Sequence, residues 1–207
     1  MAYLVLVRHG ESEWNAKGLW TGWTDIGLSD KGREEAKKAG ELLKDIHFDF
    51  AYTSALIRAT QTWEDIRKIL GQTDLQTTES KALNERDYGD LNGKNKWEVK
   101  QQVGEEEFNR LRRSWDYPPP HGESLKMVYE RVLPYYESEI LPKLKNGKNV
   151  IISAHGNSLR ALMKYLDKIS DEDIAKLEMP TGGVYVYQIN EQGEVINKEI
   201  RVTGKAP

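Results

Sequence analysis

The chain has 207 residues, 38% hydrophobic and 30% charged, with a formal net charge of −3 and no cysteine. That length suits one domain with a sizeable core, and the lack of cysteine excludes a disulfide scaffold and thiol catalysis. The slightly acidic balance gives no general attraction to nucleic acid or acidic membranes.

Four apolar residues, Leu4 to Val7, run into Arg8, His9 and Gly10. An unbroken apolar run predicts a strand buried on both faces, as in a parallel sheet. The run is too short for a signal-peptide core, and no stretch reaches membrane-spanning length, so a cytoplasmic protein is expected. A polar and aromatic loop follows, with Trp14, Trp20 and Trp23, all read as packing residues. Ser29 reads as the cap of a helix with Ala36, Ala39, Leu42, Leu43 and Ile46 at helical spacing. Phe48 to Thr53 is a strand. Ser54 begins a helix that carries Arg58 and stops at Gly71. Leu75 to Thr78 is a short strand, and Leu83 to Lys94 is a loop rich in Gly, Asn and Asp. Two short helices are expected, over Trp97–Gln102 and Glu105–Trp115, before Pro118-Pro119-Pro120 breaks the chain. Ser124 caps a long helix to about Leu141, with Pro134 and Pro142 placed to kink or end it. Lys148 to Ala154 is a second buried strand and Ser158 to Asp167 its helix. Ser170 caps a short helix. Val184–Ile189 and Val195–Val202 alternate as a hairpin about Glu191-Gln192-Gly193. Strands alternating with helices make the chain α/β, with the hairpin at one edge.

The one internal echo is His-Gly at the ends of the two buried strands, His9-Gly10 and His155-Gly156. Strand ends at the carboxyl edge of an α/β sheet are where ligands bind, so two imidazoles are aimed at one pocket. Arg8 beside the first points to an anion, because its planar fork of donors matches phosphate. No His-Glu-x-x-His and no cysteine cluster suggests a metal site. His121-Gly122-Glu123-Ser124 repeats His9-Gly10-Glu11-Ser12, but it follows three prolines and reads as linker and helix cap. On the residues alone, Arg58 reads as a solvated helix face, Arg110 to Arg113 as surface charge, and Glu85-Arg86-Asp87 as a loop ion pair.

Six segments carry a resemblance over nearly the whole chain: Leu4–Asn15, Thr21–Gly32, Tyr52–Thr62, Leu83–Lys96, Arg112–Pro120 and Ser153–Leu162. By them the chain resembles the cofactor-dependent phosphoglycerate mutases of the histidine phosphatase superfamily, whose cofactor is 2,3-bisphosphoglycerate. Arg-His-Gly alone points only to the superfamily. Glu-Arg-x-Tyr-Gly at Glu85 and the Arg112-Arg113 pair point to the mutase branch. The resemblance implies a three-layer α/β fold over residues 1–207, a mostly parallel central sheet flanked by helices. It also implies a substrate-covering insertion at about 83–123. It implies interconversion of 3- and 2-phosphoglycerate through a phosphohistidine, with small-molecule phosphoglycerates as partners and no metal. His9 is then the nucleophile, with Arg8, Arg58 and His155 around the phosphoryl group and Glu85 as general acid and base. Ser12, Asn15, Thr21, Gly22 and the backbone at Gly156 and Asn157 contact phosphate. Tyr88, Lys96, Arg112 and Arg113 hold the far end of the substrate. The alternative is a phosphomonoesterase of the same superfamily, in which water takes the phosphoryl group.

The sequence departs from that family at Asp87, where His or Met is common, which adds a carboxylate near Glu85. Lys94 stands where Leu is common. Longer relatives carry an insert after the prolines and a longer tail. Here Pro120 almost meets Gly122 and the sequence ends Lys205-Ala206-Pro207, which predicts a monomer or a weak homo-oligomer.

Overall fold

The opening strand β1 (Ala2–Arg8) lies inside the sheet, and its alternation explains why every residue from Leu4 to Val7 is apolar. Leu4 and Leu6 enter the core on one face, and Val5 and Val7 the core on the other. The computed structural model describes residues 1–202, so the Lys205-Ala206-Pro207 end lies outside the described residues. After β1 come the short helix α1 (Glu13–Ala16), α2 (Asp30–Glu41), β2 (Phe50–Ser54), α3 (Ile57–Leu70) and β3 (Thr77–Ser80). Then follow α4 (Lys96–Val103), α5 (Glu105–Arg113), α6 (Leu125–Tyr135), α7 (Leu141–Lys145), β4 (Val150–Ala154), α8 (Gly156–Leu166), β5 (Val184–Ile189) and β6 (Val195–Arg201).

The six strands form one sheet in the order β3-β2-β4-β1-β5-β6. The first four in that order run parallel, and β5 and β6 add antiparallel, as the hairpin predicts. Side chains of α2 and α3 (Ala39, Trp63, Ile66) pack on the Val5–Val7 face, and those of α6 and α8 (Val128, Val132, Leu159, Leu162) on the other. The result is the expected three-layer α/β architecture. A separate small cluster of Trp20, Leu91, Val99, Phe108 and Leu111 seats α4 and α5 beside the sheet's carboxyl edge.

Several boundaries differ from the sequence reading for local reasons. Ser54 does not start a helix. It ends β2, paired with Ser80, and α3 begins only at Ile57. α8 begins at Gly156, because the Ser158 hydroxyl reaches back to accept the His155 N–H at 3.2 Å. The α-helix from Leu125 ends at Tyr135, one residue after Pro134, and the rod continues through a π-helical segment, Tyr136–Ile140, into α7. Pro134 and Pro142 lack amide hydrogens, so the regular i to i−4 ladder cannot run through either, and the wider turn accommodates the break. Ser29 and Ser124 cap as predicted, accepting from the Gly32 and Met127 N–H groups at 3.1 Å each.

The turn after β1 is fixed from two sides. The Gly10 N–H donates to Thr62 Oγ1 of α3 at 3.1 Å, and that hydroxyl donates to the Arg58 carbonyl at 2.8 Å. On the α2 side, the Glu11 carbonyl accepts from the Ser29 N–H at 2.9 Å. Here two backbones touch. A Cβ on Gly10 would lie 2.1 Å from the Gly32 carbonyl oxygen, and one on Gly32 would lie 2.0 Å from the Glu11 carbonyl oxygen. Replacing a helical glycine with alanine ordinarily stabilises by up to about 1 kcal/mol. Gly32→Ala is expected to do the reverse, destabilising by about 1–3 kcal/mol through overpacking against backbone. Urea denaturation checks the sign, and a rise in midpoint would contradict this packing.

Candidate active site

The β1–β4 register brings the histidines together. Arg8 sits opposite Ala154 in parallel pairing, so the next residue of each strand, His9 and His155, leaves the sheet beside the other. Their ring centroids are 4.9 Å apart, and both are buried. They stand at one end of a cavity of about 650 Å³. All the expected site residues line this cavity except Ser12 and His155.

His9 Nδ1 lies 2.7 Å from the Gly10 carbonyl oxygen. A carbonyl only accepts, so Nδ1 carries the hydrogen, and in the neutral ring Nε2 keeps the lone pair. Burial, then the charges of Arg58 and Arg8, push His9 well below the usual histidine range against the weaker pull of that carbonyl. His9 is therefore neutral near pH 7, with Nε2 as its nucleophilic atom. Burial, then the charges of Arg58 and Arg8, lower His155 in the same direction.

The arginines beside it are held by carbonyls rather than carboxylates. Arg58 is 1% exposed, which overturns its reading as a solvated helix face. It donates to the Gly22 and Thr24 carbonyls at 2.7 and 3.0 Å. Burial brings it down to about 10, so it stays charged at neutral pH. Arg8 donates to the Met179 carbonyl, and its Nε is buried without a partner among the described residues. Thr21 Oγ1 and His155 Nδ1 are also buried and unpartnered there. Unpaired donors around a neutral nucleophile form a cradle for a bound anion.

Glu85 stands beside this cradle, a carboxylate oxygen within 4.8 Å of both imidazoles. Its Oε1 accepts from the Arg86 N–H at 2.8 Å and from the Asn157 N–H and Nδ2 at 3.1 Å each. Those bonds orient the carboxyl and leave Oε2 as the oxygen able to exchange a proton. The Asn157 N–H, expected at a phosphate, donates to Glu85 here. The Asn157 side chain also donates to Tyr88 OH at 2.8 Å.

α4 and α5 form a second cationic wall. Lys96 is brought down to about 8 by burial, then by Arg112 and Arg8. Arg112 is lowered by burial and then by Arg113. Arg113 pairs with Glu178, so its charge at the cavity is partly matched already. His9, Glu85 and His155 offer ligand atoms that all lie within 4.8 Å of one another. The neighbouring Arg8 and Arg58 charges oppose a cation there and favour an anion.

Other residues fall elsewhere than expected. Ser12 is fully buried, and its hydroxyl caps α1 by accepting from the Asn15 N–H at 3.1 Å. Asn15 Oδ1 returns the contact by accepting from the Ser12 N–H at 3.2 Å, which leaves the Asn15 NH2 group to donate into the cavity. Arg86 forms no ion pair among the described residues. It is fully buried, and its guanidinium donates to the Glu123, Arg112 and Tyr117 carbonyls. The Asp87 carboxylate turns from Glu85 to accept from the Gly89 N–H and Asn92 Nδ2. His121 is exposed and pairs with Asp90, consistent with a linker role. Sequence reasoning missed Arg160 and the Leu177–Pro180 segment, which also line the cavity. Arg160 donates to Asn157 Oδ1 at 3.0 Å and to the Ile174 carbonyl at 2.6 Å. Its i, i+3 spacing from Asn157 on one helix was the available signal.

The model of the histidine phosphatase superfamily (branch 1) matches residues 4–199. The chain is 53% identical over 205 residues to a Parvibaculum lavamentivorans protein named 2,3-bisphosphoglycerate-dependent phosphoglycerate mutase, covering 98% of each. A solved phosphoglycerate mutase from Bacillus anthracis has a TM-score of 0.76 at 25% identity, over 98% of this chain and 92% of that one. The alpha-ribazole phosphatase of Shigella flexneri has a TM-score of 0.79, also at 25% identity, over 97% and 95%. A protein named a mutase and one named a phosphatase thus share this fold. With the paired histidines, the arginine cradle and a family match spanning nearly every described residue, the chain belongs to the histidine phosphatase superfamily, branch 1.

Proposed function

We infer that the chain interconverts 3-phosphoglycerate and 2-phosphoglycerate by phosphoryl transfer through His9, primed by 2,3-bisphosphoglycerate. The observation that carries this reading is a cavity with cations on two sides: Arg8 and Arg58 beside His9, and Lys96, Arg112 and Arg113 on the α4–α5 wall. A phosphatase of simple esters needs only the first group. A substrate with an anion at each end uses both. The relatives' name, carried at 53% identity over nearly the full length, supports the same activity.

The fit to a bisphosphate rests on the unpartnered buried donors Arg8 Nε, Thr21 Oγ1 and His155 Nδ1. When bound, 2,3-bisphosphoglycerate supplies the phosphoryl group that primes His9. His9 Nε2 then accepts and returns that group, while Gly10 keeps the ring oriented through Nδ1. Arg8, Arg58 and His155 stabilise charge on its equatorial oxygens, the dominant requirement of phosphoryl transfer. Glu85 Oε2 takes the proton of the attacking hydroxyl and returns it to the leaving oxygen. Asn15 and Thr21 donate to the transferring phosphoryl group. Lys96, Arg112 and Arg113 hold the remote anion with Tyr88, and the segment at 83–123 covers the cavity. No step requires a metal. Among the described residues no helix is long and apolar enough to cross a membrane, which is compatible with a cytoplasmic enzyme.

Enzyme stripped with a chelator is expected to form 2-phosphoglycerate from 3-phosphoglycerate only when primed by 2,3-bisphosphoglycerate. Arg112→Ala/Arg113→Ala should cut that conversion while hydrolysis of the bisphosphate falls much less, raising the phosphatase-to-mutase ratio. Each charge-assisted contact contributes about 1.5–3 kcal/mol, so losing two weakens retention by roughly two to four powers of ten. An unchanged ratio would show that this wall does not set the partition.

A second outcome concerns pH. The Lys96 ammonium binds an anion only while charged, and its value of about 8 belongs to the free enzyme, the state that kcat/KM reports. Rising pH removes the charge, so kcat/KM is expected to fall above about pH 8 by up to roughly tenfold per pH unit. Lys96→Arg, which does not titrate there, should abolish that limb. Persistence of the limb in the arginine variant would assign it to another group.

A further inference from the structure

Ser54 is the last residue of β2, and it meets His155 because β2 and β4 run parallel with Thr53 opposite Ser153. Its Oγ lies 2.6 Å from His155 Nε2, and both residues are fully buried. The same oxygen accepts the Leu56 N–H at 3.2 Å. His155 Nδ1 is buried and completes no hydrogen bond among the described residues, the Ser158 N–H of the first turn of α8 approaching the ring without bonding to it.

Two hydrogen arrangements fit the short contact. If His155 Nε2 carries the hydrogen, the Ser54 hydroxyl hydrogen has no acceptor among the described residues, and His155 Nδ1 presents a lone pair. If Ser54 donates to Nε2, its hydrogen is used and its lone pairs serve Leu56. His155 Nδ1 then carries the ring hydrogen. A buried hydroxyl left unpaired is unfavourable, so the second arrangement wins. A lone pair at Nδ1 would also repel a phosphoryl oxygen.

We propose that Ser54 is a positioning residue that fixes the tautomer of His155, so that a neutral imidazole donates Nδ1–H to the phosphoryl oxygen held beside His9. This rests on the phosphoryl-transfer reading for what fills the cradle. No proton moves between residues: His155 keeps its hydrogen and Ser54 keeps its own. Burial and then the cationic surroundings disfavour an imidazolium, so the ring can donate at Nδ1 only in the correct tautomer. Arg58 and Arg8 face it from α3 and β1, and His9 from the adjoining turn.

The test is long-range 1H–15N NMR on protein labelled at histidine nitrogen. Without any ligand, His155 is expected as Nδ1–H with an unprotonated Nε2. His9, fixed by Gly10 rather than by Ser54, is expected as Nδ1–H and serves as an internal reference. Ser54→Ala should shift His155 toward a mixture or to Nε2–H and leave His9 unchanged. Rapid mixing with 2,3-bisphosphoglycerate should show phosphorylation of His9 slowed by roughly 10- to 100-fold, with half-saturation little altered. His155 found as Nε2–H in the wild type, or an unchanged tautomer in Ser54→Ala, overturns the proposal. Because the tautomer is read without turnover, failure of His9 to become phosphorylated would count against the phosphoryl-transfer reading separately.

Discussion

The parallel pairing of β1 with β4 is the constraint on which the site depends. One residue of slip between the strands would move the imidazoles apart and turn apolar residues the wrong way in both cores. The register is held from both faces, by Leu4, Leu6 and Ile152 on one and Val5, Val7 and Ile151 on the other. The two His-Gly turns are therefore aligned by the same packing that stabilises the sheet. Close backbone contact between Gly10 and Gly32 then fixes where the first turn sits against α2.

Placing several cations around one cavity is costly, and the structure shows how the cost is met. Arg8, Arg58 and Arg160 each donate to main-chain carbonyls, which hold a guanidinium without cancelling its charge. A carboxylate partner would neutralise the field that an incoming phosphate needs. Arg113, the arginine on the α4–α5 wall that does pair with a carboxylate, uses an exposed one, Glu178. Burial, reinforced by these cations, keeps both histidines neutral, so the charges that attract the anion also help to keep Nε2 of His9 unprotonated.

Much of this was legible in the sequence, and what was not has a physical reason. Apolar runs ending in His-Gly located both buried strands, and alternation located the edge hairpin. Arg58 was misread on local pattern because a charged residue on a polar helix gives no sign of burial. Its buried environment comes from carbonyls more than thirty residues away in sequence. Arg86 hid for the same reason. Asp87 and Ser12 were placed by type and position, but local backbone donors claimed their oxygens. Ser54 looked like a helix start because serine caps helices well, and its contact with His155 exists only once the β2–β4 register is known. Strand register and long-range capture of carbonyls are the information that a single sequence carries least visibly.

The central claim is that neutral His9, through Nε2, accepts a phosphoryl group inside a cationic cradle. The most direct measurement exposes the protein to 32P-labelled 2,3-bisphosphoglycerate, quenches it in base, and maps the label by peptide sequencing. The account predicts an acid-labile, base-stable label on His9, absent in His9→Ala protein that remains folded. Label on His155, His121 or a serine, or unaltered labelling of the His9→Ala protein, would contradict it.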